Sequence, residues 1–246
     1  MITVVIPVSP IKSHPDTAIL TETLDSVRHH LPDAEVLLTF DGVRKEQEHR
    51  RQDYEEFIRR ALWLADHKYG NVCPLIFDEH MHQSGMMQAT LDEIRTPFLM
   101  YVEQDTPLVA DRVIDFGLIE WYLERGESNL VRLHHEAVIP SDHSHLMLGM
   151  ELDVPFLRTS QWSQRPHVAS VAYYRRIMEN YFTLGARCFI EDVMHGVLAQ
   201  AHNLDGMSGW HQHRVHVYVP DRANTKYSYT TDGRAGEPKW DEDQIW

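Results

Sequence analysis

The sequence of 246 residues contains only two cysteines, Cys73 and Cys188. Two thiols exclude the dense disulfide framework of small secreted domains and are typical of a reducing compartment. No apolar run approaches the ~18 residues that a membrane-spanning helix needs. The apolar run at the N-terminus is short and follows no basic segment, so it predicts a first strand rather than a signal peptide. We therefore expect a cytoplasmic protein without a membrane span.

Positive charge is also scarce, since 23 Lys and Arg face 37 Asp and Glu, which gives a formal net charge of −14. A field of this sign excludes nucleic-acid binding through a generally basic surface, although a local basic groove remains compatible with it. The hydrophobic content of 43% and the charged content of 24% are ordinary for a soluble globular enzyme. The length is sufficient for one domain with a large core.

Two periodicities alternate along the chain. Residues 2–8 (ITVVIPV) form an apolar, β-branched run, which predicts a strand buried on both faces. Residues 18–30 carry apolar side chains at helical spacing, and residues 34–40 (AEVLLTF) predict a second strand. Strand, helix and strand in this order are typical of the βαβ unit that builds parallel sheets.

The same reasoning applies to the rest of the sequence. It predicts helices over residues 44–68, 83–94, 111–124, 172–182 and 189–201, and strands over residues 72–77, 96–102, 129–133 and 211–219. Short mixed pieces fill 134–170, and the polar tail after 220 lacks a periodicity. We expect a single α/β domain with a mostly parallel central sheet flanked by helices.

Polar residues follow three of the predicted strands: Pro7-Val8-Ser9, Asp41-Gly42 and Glu103-Gln104-Asp105. Ligands of open parallel sheets bind beyond the carboxyl ends of the strands, so we expect these turns to converge on one crevice. Asp41 is a candidate acceptor for a nucleobase or ribose, although a plain turn explains an Asp-Gly pair equally well. The two acids of the third turn are candidate ligands for Mg²⁺ or Mn²⁺ bridging a diphosphate; a solvated loop or a helix cap is the alternative.

The segments VVIPVSP and TFDG, with the acid pair after the fourth strand, resemble the GT-A fold of nucleotide-sugar glycosyltransferases, particularly family 2-like enzymes. The resemblance implies a D-x-D metal motif and, usually, a UDP-sugar donor. Here the motif reads E-x-D, so Asp105 matches the pattern and Glu103 departs from it. The segment QSGMMQA, which contains Gln83 and Gly85, resembles the Gly-x-x-x-Ala helix start of this family. With Gln104, these two residues complete the predicted nucleotide site.

A second acid pair, Glu191-Asp192, begins a predicted helix. Acids in a first turn stabilise the helix dipole, which is one explanation of the pair. The other explanation is a general base that takes the proton of an acceptor hydroxyl. The family resemblance implies that Asp192 is this base, with Glu191 beside it, and that the anomeric carbon is inverted.

Histidines supply a third set of candidates. The segment RVHVY resembles a family segment that donates a histidine to the metal, which implies His216 as a ligand and His213 as the second choice; a satisfied core histidine is the alternative. His134-His135 and His143-x-His145 raise the possibility of a zinc site, but the sequence has no His-Glu-x-x-His or Cys-x-x-Cys motif.

Aromatic and cationic residues in the second half are candidates for substrate contacts. Trp162 is a candidate for stacking on a sugar ring or, alternatively, a core aromatic. Arg222, Lys226 and Tyr227 belong to a locally cationic tail that we expect to close over a diphosphate, unless the tail is simply solvated.

Together these features predict a metal-dependent transferase of the hexosyltransferase type. It would move a sugar from a UDP-sugar, or another nucleotide-sugar, to an acceptor hydroxyl. Residues 1–106 would bind the donor, 107–210 the acceptor, and 211–246 would close over the site of this single domain. The acceptor stays open between a glycan, a lipid-linked sugar, a protein and a modified nucleobase. A non-catalytic nucleotide-sugar-binding module and a nucleotidyltransferase are the alternative functions.

Overall fold

A computed structural model describes residues 1–135, 141–220 and 226–231. Within these ranges nine strands form one sheet. The strands are β1 (Ile2–Val8), β2 (Glu35–Phe40), β3 (Val72–Ile76), β4 (Phe98–Tyr101), β5 (Leu130–Leu133), β6 (Met147–Met150), β7 (Phe156–Thr159), β8 (His167–Ser170) and β9 (Val215–Tyr218). Their order across the sheet is β3-β2-β1-β4-β8-β5-β9-β7-β6.

Helices cover both faces of this sheet. They are α1 (Ala18–His30), α2 (Arg51–Leu64), α3 (His82–Leu91), α4 (Phe116–Glu124), α5 (Val171–Tyr181), α6 (Ile190–Asp205) and α7 (Met207–His213). The predicted α/β fold with a central sheet flanked by helices is therefore confirmed. No helix in the described part of the chain is both long enough and apolar enough to cross a bilayer.

The direction of the strands divides the sheet into two halves. Strands β3, β2, β1 and β4 are all parallel, as the βαβ pattern predicted. Beyond β4 the sheet is mixed, because β8 pairs antiparallel with both β4 and β5. The carboxyl ends of β4 and β5 therefore meet the amino end of β8 at one edge of the sheet.

The core forms two layers because successive side chains of a strand point to opposite faces. Val4 and Ile6 of β1 pack with Leu24 of α1 on one face. Val5 packs on the other face, in a cluster that includes Ile177 of α5. Burial on both faces explains why β1 is apolar at every position except Thr3 rather than alternating.

Three predicted elements differ from the observed ones. The helix expected over residues 44–68 begins as a 3₁₀ segment (Lys45–Arg50) and ends in a π turn (Ala65–Tyr69). The helix α4 begins only at Phe116, where the Asp115 side chain accepts a hydrogen bond from the Leu118 amide at 2.9 Å.

The strand expected from His211 is wrong in its first half, because residues up to His213 form α7. Arg214 then adopts a left-handed conformation (φ 47°), and only the valine alternation that starts at Val215 is a strand. Gly209 permits this arrangement, since a Cβ at this position would lie 1.9 Å from the carbonyl oxygen of Ala201 on α6.

We predict that Gly209→Ala lowers the free energy of unfolding by about 1–3 kcal/mol, the usual cost of overpacking, because α7 must move away from α6. Gly196→Ala is the matched control on α6, where an added Cβ meets no atom within 4 Å. It should raise stability by about 0.5–1 kcal/mol, as expected for glycine in a helix. Urea denaturation of both variants tests this, and equal effects would contradict the close contact.

Candidate active site

Three strand ends meet at one edge of the parallel half of the sheet. The Asp41 amide donates to the carbonyl of Val8 at 2.9 Å, which joins the ends of β2 and β1. The side-chain amide of Gln104 donates to the carbonyl of Ser9 at 3.2 Å, which joins the loop after β4 to the same place. Gln104 is buried, whereas Ser9 is exposed. The predicted convergence of the three turns is therefore present, with Pro7 partly exposed beside Val8.

The carboxylate of Asp41 is hydrogen-bonded to the protein's own backbone. Its carboxylate is buried, and its two oxygens accept from the backbone amides of Met81 (2.6 Å) and His82 (3.1 Å). His80 Nδ1 lies 2.7 Å from Asp41 Oδ2. In this arrangement the carboxylate anchors the segment before α3, and this contact differs from the predicted bond to a nucleobase.

Gly42 allows the backbone to approach the same segment closely. A Cβ at Gly42 would lie 2.2 Å from the carbonyl carbon of Glu79 and 2.5 Å from the amide nitrogen of His80. The backbones approach so closely that only glycine fits without displacing the segment. The Asp-Gly pair is thus a clamp on residues 79–82.

The first turn of α3 joins the loop after β4, Glu103-Gln104-Asp105, to the second acid pair, and we call this loop the acid loop. Gln83 Nε2 donates to the Tyr101 hydroxyl (2.9 Å) and to Glu103 Oε1 (3.3 Å). Gln83 Oε1 accepts from the amide of Ile190, the first residue of α6, at 2.8 Å. The hydroxyl of Ser84 donates to the carbonyl of Ala186 at 2.7 Å. The start of α6 is therefore held in register with the end of β4.

Gly85 lies in a closely packed position. It is buried in α3, and a Cβ there would lie 3.3 Å from Met81 Cβ and 3.6 Å from the Ala186 carbonyl oxygen. The small residue lets α3 lie against the segment before α6. No contact to a nucleotide is needed to explain its presence.

A cavity of ≈ 300 Å³ lies beside Glu103, next to the end of β5 and the segment before β8. It is lined by polar and charged residues with one leucine: Glu103, Arg132, Leu133, His134, His135, His143, Gln161, Ser163, Gln164, Arg165 and Glu191. Glu103 lies between this cavity and the edge formed by β1 and β2, because β4 separates those strands from β8 and β5. The cavity therefore continues the predicted donor site toward the mixed half of the sheet.

The two members of the second acid pair have different positions. Glu191 lines the cavity, and its Oε2 accepts from the Gln164 amide at 3.1 Å. Asp192 is exposed and is not among the residues that line the cavity. Both lie in the first turn of α6, where carboxylates also stabilise the helix dipole.

A short segment of the tail crosses the acid loop, and we call residues 226–231 the strap. Its backbone amides at Tyr229 and Thr231 donate to the carbonyls of Pro107 and Asp105. The side chains of Ser228 and Thr230 lie 2.8 and 3.2 Å from the two ring nitrogens of His135. The strap therefore fixes the acid loop and one wall of the cavity.

The wall beside the strap has a positive electrostatic environment. Burial, followed by the charges of Arg165 and Lys226, lowers the pKa of His135 to about 4. The imidazole is therefore neutral at pH 7. Lys226 is exposed at the beginning of the strap, near enough to the cavity for its charge to act on His135.

Three predicted site residues lie in the core instead. Trp162 is 1% exposed and packs among aromatic rings, so it cannot stack on a bound sugar in this structure. Tyr227 is buried against Tyr218. His216 is buried, with its ring nitrogens 2.9 Å from Ser128 Oγ and 3.1 Å from Glu151 Oε1.

The position of His216 corrects its predicted role as a metal ligand. Its ring packs against Tyr122 and Phe156, on the face opposite the cavity. The alternation of valine and polar residues along β9 predicts a strand, but it does not indicate which face of the sheet carries the site. The second choice, His213, ends α7 and bonds to the Tyr173 hydroxyl at 3.0 Å. Arg222 lies outside the described residues.

Glu103 and Asp105 remain the candidate metal ligands. Both are partly exposed at a strand end and offer hard carboxylate oxygens, which fit Mg²⁺ or Mn²⁺. Across residues 1–135, 141–220 and 226–231, no three His, Cys, Asp or Glu side chains form a metal-binding group. This holds also for His134, His135 and His143, although they line one cavity. A cation bound through one or two carboxylates and substrate phosphates fits this donor set better than a site built only from protein.

Sequence reasoning did not find the cationic residues of the cavity. Arg132 is the one charged residue of the short apolar strand β5, and Arg165 precedes β8 in the segment that contains Trp162. The polar residues on either side of Trp162 could have indicated the position of the cavity. In an extended segment a buried tryptophan places the residues on either side, Gln161 and Ser163, on the opposite face.

Comparison with solved structures shows that the chain has the GT-A fold. The structure of S. aureus TarS 1-349 in complex with UDP-GlcNAc superimposes with a TM-score of 0.56 at 12% identity, over 100% of this chain and 61% of that one. The mannosyltransferase PcManGT from Pyrobaculum calidifontis, in complex with GDP-Man and Mn²⁺, gives 0.55 at 13% identity, over 96% and 58%. GalNAc-T7 with UDP, GalNAc and Mn²⁺ gives 0.59 at 11% identity, over 93% and 43%.

These similarities are confined to structure. No family model matches the sequence, and no curated protein matches it significantly. The chain spans 36% to 61% of the length of the TarS chains that it matches.

We predict that His216 makes stability depend on pH. Burial lowers its pKa to about 4, against an ordinary value of 6.5, and its bond to Glu151 only partly opposes this. Below pH 6.5 the unfolded chain takes up a proton that the folded His216 refuses, so stability is lost as the pH falls from 6.5 toward 4.

Between pH 7.5 and pH 5, the variant His216→Gln should therefore lose about 2 kcal/mol less unfolding free energy than the wild type. Denaturant titrations at both pH values measure the difference. His29→Gln removes an exposed imidazole and is the control. Parallel pH profiles for wild type and His216→Gln would show that His216 is not the cause.

Proposed function

We propose that this protein is a metal-dependent glycosyltransferase that uses a nucleotide-sugar, with a UDP-sugar as the first candidate donor. The observation that carries the proposal is the position of Glu103 in a GT-A fold. It lies between a polar sheet edge and a cavity that holds a second carboxylate, Glu191. The bound UDP-GlcNAc, UDP and GDP-Man of the similar structures support a nucleotide-sugar donor for this chain.

In this proposal the donor lies along the edge formed by β1, β2 and the acid loop. Ser9 is exposed there, and buried Gln104 and Gln83 hold the loop in place. Glu103 and Asp105 would hold Mn²⁺ or Mg²⁺. The cation, when bound, would neutralise charge on the departing nucleoside diphosphate. The clamp formed by Asp41 and Gly42 supports the neighbouring segment.

The acceptor would occupy the cavity, where a carboxylate can take the proton of its hydroxyl as that oxygen attacks the anomeric carbon. Of the acid pair, Glu191 lines the cavity, so we assign the base to Glu191. The family resemblance points to Asp192, which is exposed. One carboxylate site then serves the leaving group and the other the acceptor, as a single displacement with inversion requires.

Two other functions are separable by one assay. With UDP-glucose and Mn²⁺, a glycosyltransferase releases UDP, whereas a nucleotidyltransferase acts on a nucleoside triphosphate. A non-catalytic binding module would bind UDP and release nothing. The carboxylate in the cavity favours the transferase, because a binding module needs no base there.

We predict that UDP binds with higher affinity in the presence of Mn²⁺ and that Asp105→Asn weakens this affinity about tenfold or more, because it removes a charged ligand. Affinity without metal should not change. Asp111→Asn, an exposed acid on the next segment, is the matched control. Calorimetry with and without Mn²⁺ measures all three proteins, and full metal-dependent affinity in Asp105→Asn would rule out this acid as a ligand.

We predict that Glu191→Gln lowers kcat by roughly 10²-fold or more and leaves UDP affinity nearly unchanged, as expected for loss of a positioned base. Asp192→Asn should have a smaller effect. The readouts are UDP release under saturating donor and the anomeric configuration of the product. The opposite ranking of the two variants would return the base to Asp192, and a retained configuration would exclude the single displacement.

A further inference from the structure

The cavity contains more cationic residues than a neutral sugar acceptor needs. Two arginines line it, although the protein as a whole carries a formal net charge of −14. Both arginines come from neighbouring strands, since Arg132 lies on β5 and Arg165 precedes β8. The fold therefore concentrates positive charge in one wall of a site on an acidic protein.

Within the described residues, the positive charge of Arg165 has no paired carboxylate. Its backbone amide bonds to Ser163, but its guanidinium has no hydrogen-bond or ion-pair partner among the residues described here. It is only partly exposed and lines the cavity. A half-buried guanidinium without a carboxylate is costly to hold in place unless a ligand supplies the negative charge.

Neighbouring groups show the sign of the local field. His135, on the same wall, has its pKa lowered by burial first and then by Arg165 and Lys226. Gln161 Oε1 accepts from Arg132 Nη1 at 3.1 Å, which directs that guanidinium along the wall. Two planar guanidiniums on adjacent strands suit the two oxygens of a phosphate or carboxylate.

We propose that the acceptor carries an anionic group, a phosphate or a carboxylate, next to the hydroxyl that is glycosylated, and that Arg165 together with Arg132 binds this group. The inference rests on the proposed function, because it names the substrate class of the same site. A cavity of ≈ 300 Å³ is at the lower end for ligand pockets and suits one charged sugar unit.

The donor's own diphosphate is a poorer match for these arginines. The donor edge is formed by β1 and β2, on one side of β4. Arg132 lies on β5 and Arg165 precedes β8, and both strands are on the other side of β4. Glu103 lies between the two. A diphosphate held at the acid loop would therefore have the arginines on its acceptor side.

The test uses small probes in the absence of nucleotide and metal, so that it does not depend on transferase activity. Calorimetry compares glucose 6-phosphate, glucuronate and glucose. We expect one or both of the charged sugars to bind about tenfold or more tightly than glucose, and the stronger of the two identifies the anion. Arg165→Gln should abolish the preference for charged sugars. Arg165→Lys should keep part of it, because lysine retains the positive charge but lacks the paired N–H donors of the guanidinium.

Arg112→Gln, an exposed arginine away from the cavity, should change nothing. UDP affinity with Mn²⁺ should stay within about twofold of wild type in Arg165→Gln. Loss of a hydrogen bond between a charged side chain and UDP would change the affinity by much more than this. Equal binding of the three sugars would overturn the inference, and so would a preference that survives in Arg165→Gln. Loss of UDP affinity in that variant would instead assign the arginine to the donor.

The two proposals fail in different ways. If UDP binds with Mn²⁺ but no charged sugar is preferred, the transferase proposal stands and the anionic acceptor is wrong. If charged sugars bind through Arg165 but UDP does not bind, the anion site stands and the nucleotide-sugar donor is wrong.

Discussion

The side-chain amide of Gln83 makes the site a single unit. Its donor nitrogen bonds to Tyr101 and Glu103, and its oxygen accepts from the amide of Ile190. The strand end that carries one carboxylate and the helix start that carries the other thus share a single buried side chain. A buried amide with both ends satisfied is rigid, because each alternative orientation leaves a polar group unpaired. The spacing between the two acid sites depends on this residue.

The antiparallel strand β8 gives the site its second component. If the parallel order had continued past β4, the edge beside Glu103 would have been formed only by carboxyl ends of strands. Because β8 runs the other way, its amino end carries Arg165 to the same edge, next to the residues that follow β5. The reversal therefore places cations beside a row of acidic turns, and a polar cavity can form there.

The sequence predicted what local patterns determine. The bounds of β1 and α1 match their periodic segments, and the convergence of three polar turns follows from parallel neighbours. The cavity was not predictable in this way, since Arg132 and Arg165 meet only through a strand order that no local pattern encodes. For His216, alternation identified a strand but not the face that carries the site. Similarly, the sequence left Trp162 open between stacking on a sugar and a core position. Its neighbours Gln161 and Ser163 line the cavity, whereas its ring packs in the core.

The strap also affects how the acid loop moves. Asp105 and Thr231 are 126 positions apart in the sequence, yet backbone hydrogen bonds join their segments at Asp105, Pro107 and Val109. Such a distant pairing breaks and forms as one step, so the loop and the strap should open together rather than fray separately. The order of the acid loop is therefore set in part by a segment that is distant in the sequence. Mutations in the strap would therefore act on the loop through its conformational entropy.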